Sequence, residues 1–329
     1  MRRNLHAGKS QSGGLSLNIL TDDELYEIHL ATLEVLEKGG IFVGDEEAMD
    51  VFDGGGAVVD RKSKIVRIPP YVVEDAIRSA PSALILAGRN PKNDFVIGSN
   101  RVGFANFGEG ILVVDPYTGE TREPTKADLG NAAKVVDYLS DADVFFKALG
   151  AHDVPQTHYI VQLHNAEAIF PNTSKHFFIG GGNKYILRKL VEMAAAVVGG
   201  MDKLKERPIL TFVTSPVSPL KLIKECCEII MGAARFGIPM NIISMAMAGG
   251  SSPVTLAGTL VTHNAEVLGA IVLSQLTCKG SPVIYGSSTT AMDLRLGTAV
   301  VGTPECARIS AAVARLAQYY SLPSLVAGA

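Results

Sequence analysis

His263 and Glu266 lie three residues apart in the tetrapeptide His-Asn-Ala-Glu, which also occurs at His164 to Glu167. On a helix that spacing puts imidazole and carboxylate on one face, an arrangement suited to acid–base pairing or metal ligation. A polar helix face with chance recurrence explains the first copy. The second sits in the strongly apolar stretch 260–276, where a carboxylate is costly to bury without a partner. Glu266 and His263 are therefore the pair expected to do chemistry.

Two hydroxyl-rich loops accompany it. The run 245–253, Met-Ala-Met-Ala-Gly-Gly-Ser-Ser-Pro, leads from an apolar segment into that helix, and its glycines with Ser251 could turn backbone N–H groups toward an anion. A tight connection between strand and helix needs the same residues. The run 285–290 brings Tyr285, whose face could hold an ammonium by cation–π attraction, together with Ser287 and Ser288. Packing is the plainer use of a lone tyrosine. No H-E-x-x-H or C-x-x-C occurs, so no metal site is expected, and the P-loop and G-x-S-x-G signatures are missing too. Lys147 is the one loose candidate for a Schiff-base lysine at a strand end.

The elements that must position these residues fall into two patterns. Up to residue 124 the chain reads as an α+β region without repetition. Thr21 caps a helix with Glu24 as its capping-box partner, apolar Leu25, Ile28, Val35 and Leu36 mark one face, and Gly39-Gly40 ends it. Residues 57–68 and 111–122 read as hairpins, with a short helix opened by Pro69-Pro70 between them. After Pro124 short apolar runs alternate with amphipathic ones. Thr125 caps a helix to Leu139, and apolar runs then start at residues 144, 176, 209, 240, 282 and 322, spaced by 32, 33, 31, 42 and 40 residues. Helices are expected at 184–198, 220–236, 255–275 and 304–320. Such alternation means parallel strands covered by helices.

A doubly wound sheet and a (β/α)8 TIM barrel both fit, and each would place a site just after the strands. No G-x-G-x-x-G follows any strand, which favours the barrel, C-terminally truncated after about six strands and carrying the N-terminal α+β extension. The expected organisation is thus an α+β region at 1–124 and an incomplete barrel at 125–329. Either the first region supplies two further strands or the barrel is cut short at the bare strand 322–326.

Composition sets the class. Net charge is −3 over 329 residues, which gives no general attraction to nucleic acid. With 47% hydrophobic and 19% charged residues the chain has ample material for a core. Its four cysteines, two of them adjacent, make no disulfide framework. Arg2 and Arg3 run into glycine and serine with no apolar stretch behind them, so a cytoplasmic protein that does not span a membrane is expected.

The long run from Ser244 to Leu268, together with 285–290 and Leu322-Pro323-Ser324, resembles the trimethylamine:corrinoid methyltransferase family, and Gly237-Ile238-Pro239 and 106–110 (Asn-Phe-Gly-Glu-Gly) are similar to it as well. The likeness covers essentially the whole chain. It implies a TIM barrel, expected as a homo-oligomer, that moves a methyl group from a small methylated amine to the Co(I) corrinoid (cobalamin) of a cognate corrinoid protein, binding no cofactor directly. It also implies a pyrrolysine, encoded by an in-frame UAG, directly after Ala329, which makes this chain an inactive fragment that stops at an amber codon. In that scheme Glu266 is the carboxylate beside the amine or the imine, His263, Tyr285, Ser287 and Ser288 shape the pocket, and Phe107 is a further candidate. The alternatives are a non-pyrrolysine branch acting on quaternary amines such as glycine betaine, for whose carboxylate the loop 249–252 is the available anion site, and a non-catalytic subunit that docks the corrinoid protein.

Overall fold

The computed structural model describes residues 9–10, 19–99 and 101–327. The chain divides into two compact units, one made of Met1–Ser12 and Leu84–Val213, the other of Gly13–Ala83 and Thr214–Ala329. The change of pattern at residue 124 is one of element type along the chain. Compactness follows a different division, with 13–83 belonging to the unit that holds the last third of the sequence.

In the first unit the strands Phe145–Phe146, Phe177–Gly180 and Leu210–Thr214 pair in parallel, Phe145 opposite Phe177 and Phe177 opposite Leu210. The helices Lys126–Tyr138, Val161–Ile169 and Lys184–Val198 alternate with them. Local chemistry sets their ends. Thr125 and Asp128 form a capping box, Asn183 caps the third helix, and Gly199 at φ +86° closes it in the left-handed conformation that favours glycine. The 111–122 hairpin forms as expected, from antiparallel Val113–Val114 and Thr121–Arg122.

The second unit repeats the theme with Met240–Ser244, Val283–Ser287 and Ser324–Val326, again parallel. Its first two strands are buried along their whole length. That matches their near-continuous apolar sequence, because a parallel strand is covered on both faces. Three strands from before residue 70, Ile41–Val43, Val58–Asp60 and Ile65–Arg67, form a small sheet here, and Lys221–Leu222 joins it beside Ile41–Val43. This strand corrects one sequence expectation: the helix expected from residue 220 begins at Lys224, because Lys221 and Leu222 are committed to the ladder.

The Leu256–Thr277 helix is the centre of this unit. It is capped by Thr255, and every residue from Val267 to Gln275 is buried. Helices Asp22–Glu34, Glu46–Gly54, Pro70–Ser79 and Lys224–Phe236 pack around it. Burial on all sides explains why it lacks an amphipathic stripe. It is long and apolar enough to cross a membrane by length and composition, but most of it is buried inside the protein. After Val283–Ser287 the chain forms a hairpin absent from the sequence reading, Thr290–Asp293 against Thr298–Val300, before the helix Pro304–Tyr319.

Candidate active site

The ends of the parallel strands in the second unit gather most of the residues singled out by sequence, and strand register decides which way each points. Ile242 is opposite Tyr285 and Ser244 opposite Ser287, so these four share one face. Ser244 Oγ donates to Glu266 Oε2 at 2.6 Å and Tyr285 OH donates to Asn264 Oδ1 at 2.6 Å. Their common face is therefore the one turned toward the Leu256–Thr277 helix.

Glu266 is only 2% exposed, and both its oxygens are occupied. Besides Ser244 it accepts from Ser218 Oγ at 2.9 Å and from the Leu220 N–H at 3.0 Å. Burial raises its pKa above the ordinary carboxyl value, and the three donors pull the other way without cancelling it. The carboxylate thus ties the turn at 218–220 to the strand Met240–Ser244. These three donors, on a carboxylate with about four acceptor sites, make its burial tolerable and fix its orientation.

His263 is fully buried, and burial lowers its pKa to about 3, so the ring is neutral. Thr289 Oγ1 donates to the Ser244 carbonyl at 3.3 Å and therefore accepts from His263 Nδ1, 3.0 Å away. That assigns the proton to Nδ1 and leaves Nε2 as a buried lone pair without a hydrogen-bond partner among the described residues. The ring meets Tyr285 edge-on, with centroids 5.3 Å apart.

Tyr285 belongs to a buried chain of hydrogen bonds that spacing could not reveal. Asn264, which accepts from Tyr285, donates to Thr32 Oγ1 at 2.9 Å and to Tyr320 OH at 2.8 Å. Tyr320 then donates to His29 Nδ1 at 3.1 Å, and His29 Nε2 donates to Glu74 at 2.8 Å. Each group donates to the next, which satisfies a polar network under an apolar roof. Tyr285 is thus a fully buried core tyrosine.

The remaining residues occupy the loops. Ser287 Oγ accepts from the Thr289 N–H at 3.1 Å, and the half-buried Ser288 donates its N–H to the Ser244 carbonyl at 2.9 Å. Ser251 Oγ accepts from the Met247 N–H at 3.0 Å, Gly249 donates to the Ser252 carbonyl, and Gly250 and Ser252 both donate to the Met247 carbonyl. The N–H groups of 247, 249, 250 and 252 thus close the loop on itself. Phe107 lies in the first unit and is 73% exposed. Among the described residues no group of three or more His, Cys, Asp or Glu side chains could hold a metal ion.

Comparison with known proteins adds a family to this geometry. A family model described as trimethylamine methyltransferase matches residues 7–329. The chain is 54% identical over 330 residues to the trimethylamine methyltransferase MttB of Desulfitobacterium hafniense, covering 100% of this chain and 66% of that protein. It is 44% identical to MttB of Methanosarcina barkeri, covering 99% and 67%. A glycine betaine methyltransferase of Desulfitobacterium hafniense is 35% identical, covering 94% and 64%. Among solved structures, the monomethylamine methyltransferase MtmB of Methanosarcina barkeri aligns with a TM-score of 0.55 at 13% identity, covering 93% of this chain and 67% of that one, a likeness of fold alone. The chain spans about two thirds of the length of these relatives.

Proposed function

The chain belongs to the trimethylamine methyltransferase family, and from that premise we propose that it serves the transfer of a methyl group from trimethylamine to the Co(I) corrinoid of a small partner protein. In this reaction the N–CH3 bond breaks with its electron pair going to nitrogen, and the cobalt's pair forms the new bond to carbon. An amine is a poor leaving group unless it stays cationic, so the protein's part is to hold the ammonium, exclude water and orient the methyl group in line with the cobalt. The parallel strands and their helices are read as part of a (β/α)8 barrel over 125–329 with the α+β region 1–124 beside it, working as a cytoplasmic homo-oligomer.

The observation that carries the choice of substrate is the difference between 54% identity to a trimethylamine methyltransferase and 35% to a glycine betaine methyltransferase. The closed loop supports it. Betaine brings a carboxylate, and four of the loop's N–H groups, at 247, 249, 250 and 252, already bond within the loop. Ser251, Ser287 and Ser288 are proposed as the rim of the pocket. His263, Tyr285 and Glu266 act from behind the strands as positioning residues that fix that rim.

The test offers trimethylamine or glycine betaine, with a reduced corrinoid protein, to the protein extended to the full length of its relatives and follows the cobalt spectrum; the 329-residue chain alone is proposed to be inactive. Methylation with trimethylamine is expected. Methylation with glycine betaine alone would establish the quaternary-amine reading. A complex with the corrinoid protein and no methylation from either amine would establish the docking subunit.

A further inference from the structure

Glu109 and Lys147 form an ion pair in the first unit that the reading above does not use. The segment before the strand Phe145–Phe146 runs alongside it as one more parallel partner. Ala105 bridges to Val144 and Gly110 to Leu149, both in parallel, and the Gly110 N–H donates to the Ala148 carbonyl at 2.7 Å. Asn106 clasps the neighbouring strand from both sides, its Oδ1 accepting from the Phe146 N–H at 2.9 Å and its Nδ2 donating to the Phe146 carbonyl at 2.7 Å. Glu109 and Lys147 therefore stand at the carboxyl ends of two adjacent parallel strands, where α/β folds place their ligands.

The two partners differ in access. The Lys147 side chain is 5% exposed and the Glu109 side chain 51%. Lys147 holds Oε1 from the buried side, and Oε2 has no hydrogen-bond partner among the described residues. Two residues earlier on the same segment Phe107 is 73% exposed, and Phe104 is 64% exposed. A carboxylate oriented by a buried lysine, with one oxygen open and exposed aromatic rings on its own segment, has the chemistry of a site for a methylated ammonium ion.

We propose that Glu109, oriented by Lys147 and flanked by Phe107, is the ammonium-binding carboxylate at these strand ends. The proposal rests on the reading that a methylated amine is the substrate. The pair is net neutral and half-exposed, so binding is weak and the amine exchanges readily.

Tetramethylammonium, which carries the charge and the methyl groups but no transferable proton, is the probe, titrated into the intact chain by NMR. Glu109→Gln keeps an acceptor for Lys147 and removes the charge, and it should weaken binding about fivefold with an unchanged melting temperature. Phe107→Leu, at an exposed position, should weaken it severalfold. Neutral tert-butanol should bind all three forms alike. Equal tetramethylammonium affinity in wild type and Glu109→Gln, or no binding to wild type, overturns the proposal. Should Glu109→Gln melt early, Phe107→Leu decides: unchanged affinity there overturns it. If the protein methylates the corrinoid from trimethylamine and Glu109→Gln leaves tetramethylammonium affinity unchanged, the proposal fails while the assigned function stands. If Glu109-dependent binding is found without methyl transfer, the site stands and the assigned function fails.

Discussion

Replacing Glu266 by alanine should destabilise the protein by about 3 kcal/mol, whereas glutamine should cost about 1 kcal/mol or less. The difference follows from what each substitution leaves behind. Alanine removes the acceptor of three donors. The hydroxyls of Ser218 and Ser244 can rotate toward other partners, but the Leu220 N–H is fixed by its backbone, and stranding it costs about 1–3 kcal/mol. The vacated side-chain volume beside the packed strand adds about 1–2 kcal/mol. Glutamine keeps Oε1 for Leu220 and turns an amide toward two hydroxyls that can accept as readily as they donate. Denaturant unfolding followed by circular dichroism at neutral pH measures both. The sign of the pH dependence is a second check. Because burial raises the pKa of Glu266 above 4.5 in the folded protein, the stability it contributes is complete below the ordinary value and is lost as pH rises through the raised one. Glutamine has no proton to lose, so the comparison should shift in its favour across that window. Equal destabilisation by alanine and glutamine, or a gap that stays constant with pH, would refute the assignment of Glu266 as a buried tether.

Three other outcomes are expected. His263 and His176 are both fully buried with pKa values lowered to about 3, so between about pH 6.5 and 5 the unfolded chain takes up protons that the folded one refuses. Stability should fall there by up to about 1.4 kcal/mol per pH unit for each histidine, and a flat profile in unfolding midpoints over that range contradicts it. Tyr285→Phe should cost about 1–3 kcal/mol by leaving the Asn264 amide oxygen without its donor, while Tyr319→Phe, 41% exposed, should lie within about 0.5 kcal/mol of wild type; similar unfolding midpoints for the two would be the contrary result. Cys226, Cys227 and Cys306 are buried and Cys278 is only part-buried, and burial pushes the Cys226 thiol up to about 12. Native alkylation read by peptide mass spectrometry should therefore mark Cys278 first, and rapid labelling of Cys226 would count against the packing described here.

Much of the architecture is written locally. Thr21 with Glu24 and Thr125 with Asp128 form the capping boxes that start their helices, and the helix read at 184–198 is the helix formed. Each of the six apolar runs after residue 124 contains a parallel strand. These features rest on contacts within a turn or on the coverage of both strand faces, so residue type and spacing suffice to reveal them. The short strand Lys221–Leu222 was not legible, because its partner lies at Ile41–Val43 and two residues carry no period.

The likeness to the trimethylamine methyltransferase family is likewise carried by residues in order along the chain. The use of each site residue is different, because facing depends on register and on partners distant in sequence. Glu266 and His263 were identified by their spacing, yet only the pairing of Ser244 with Ser287 and the turn at 218–220 show that the carboxylate is enclosed. For Tyr285 both packing and an aromatic wall were open, and only the structure shows its hydroxyl on Asn264, in a network that reaches back to Thr32, His29 and Glu74. Sequence by itself determined the capped helices, the buried parallel strands and the family to which they belong, since hydrogen bonds within a turn and the burial of continuous apolar runs act locally. Only the tertiary structure decided which polar groups are spent inside and which remain available, because a lone pair can be counted as free only when every neighbour that folding brings to it is known.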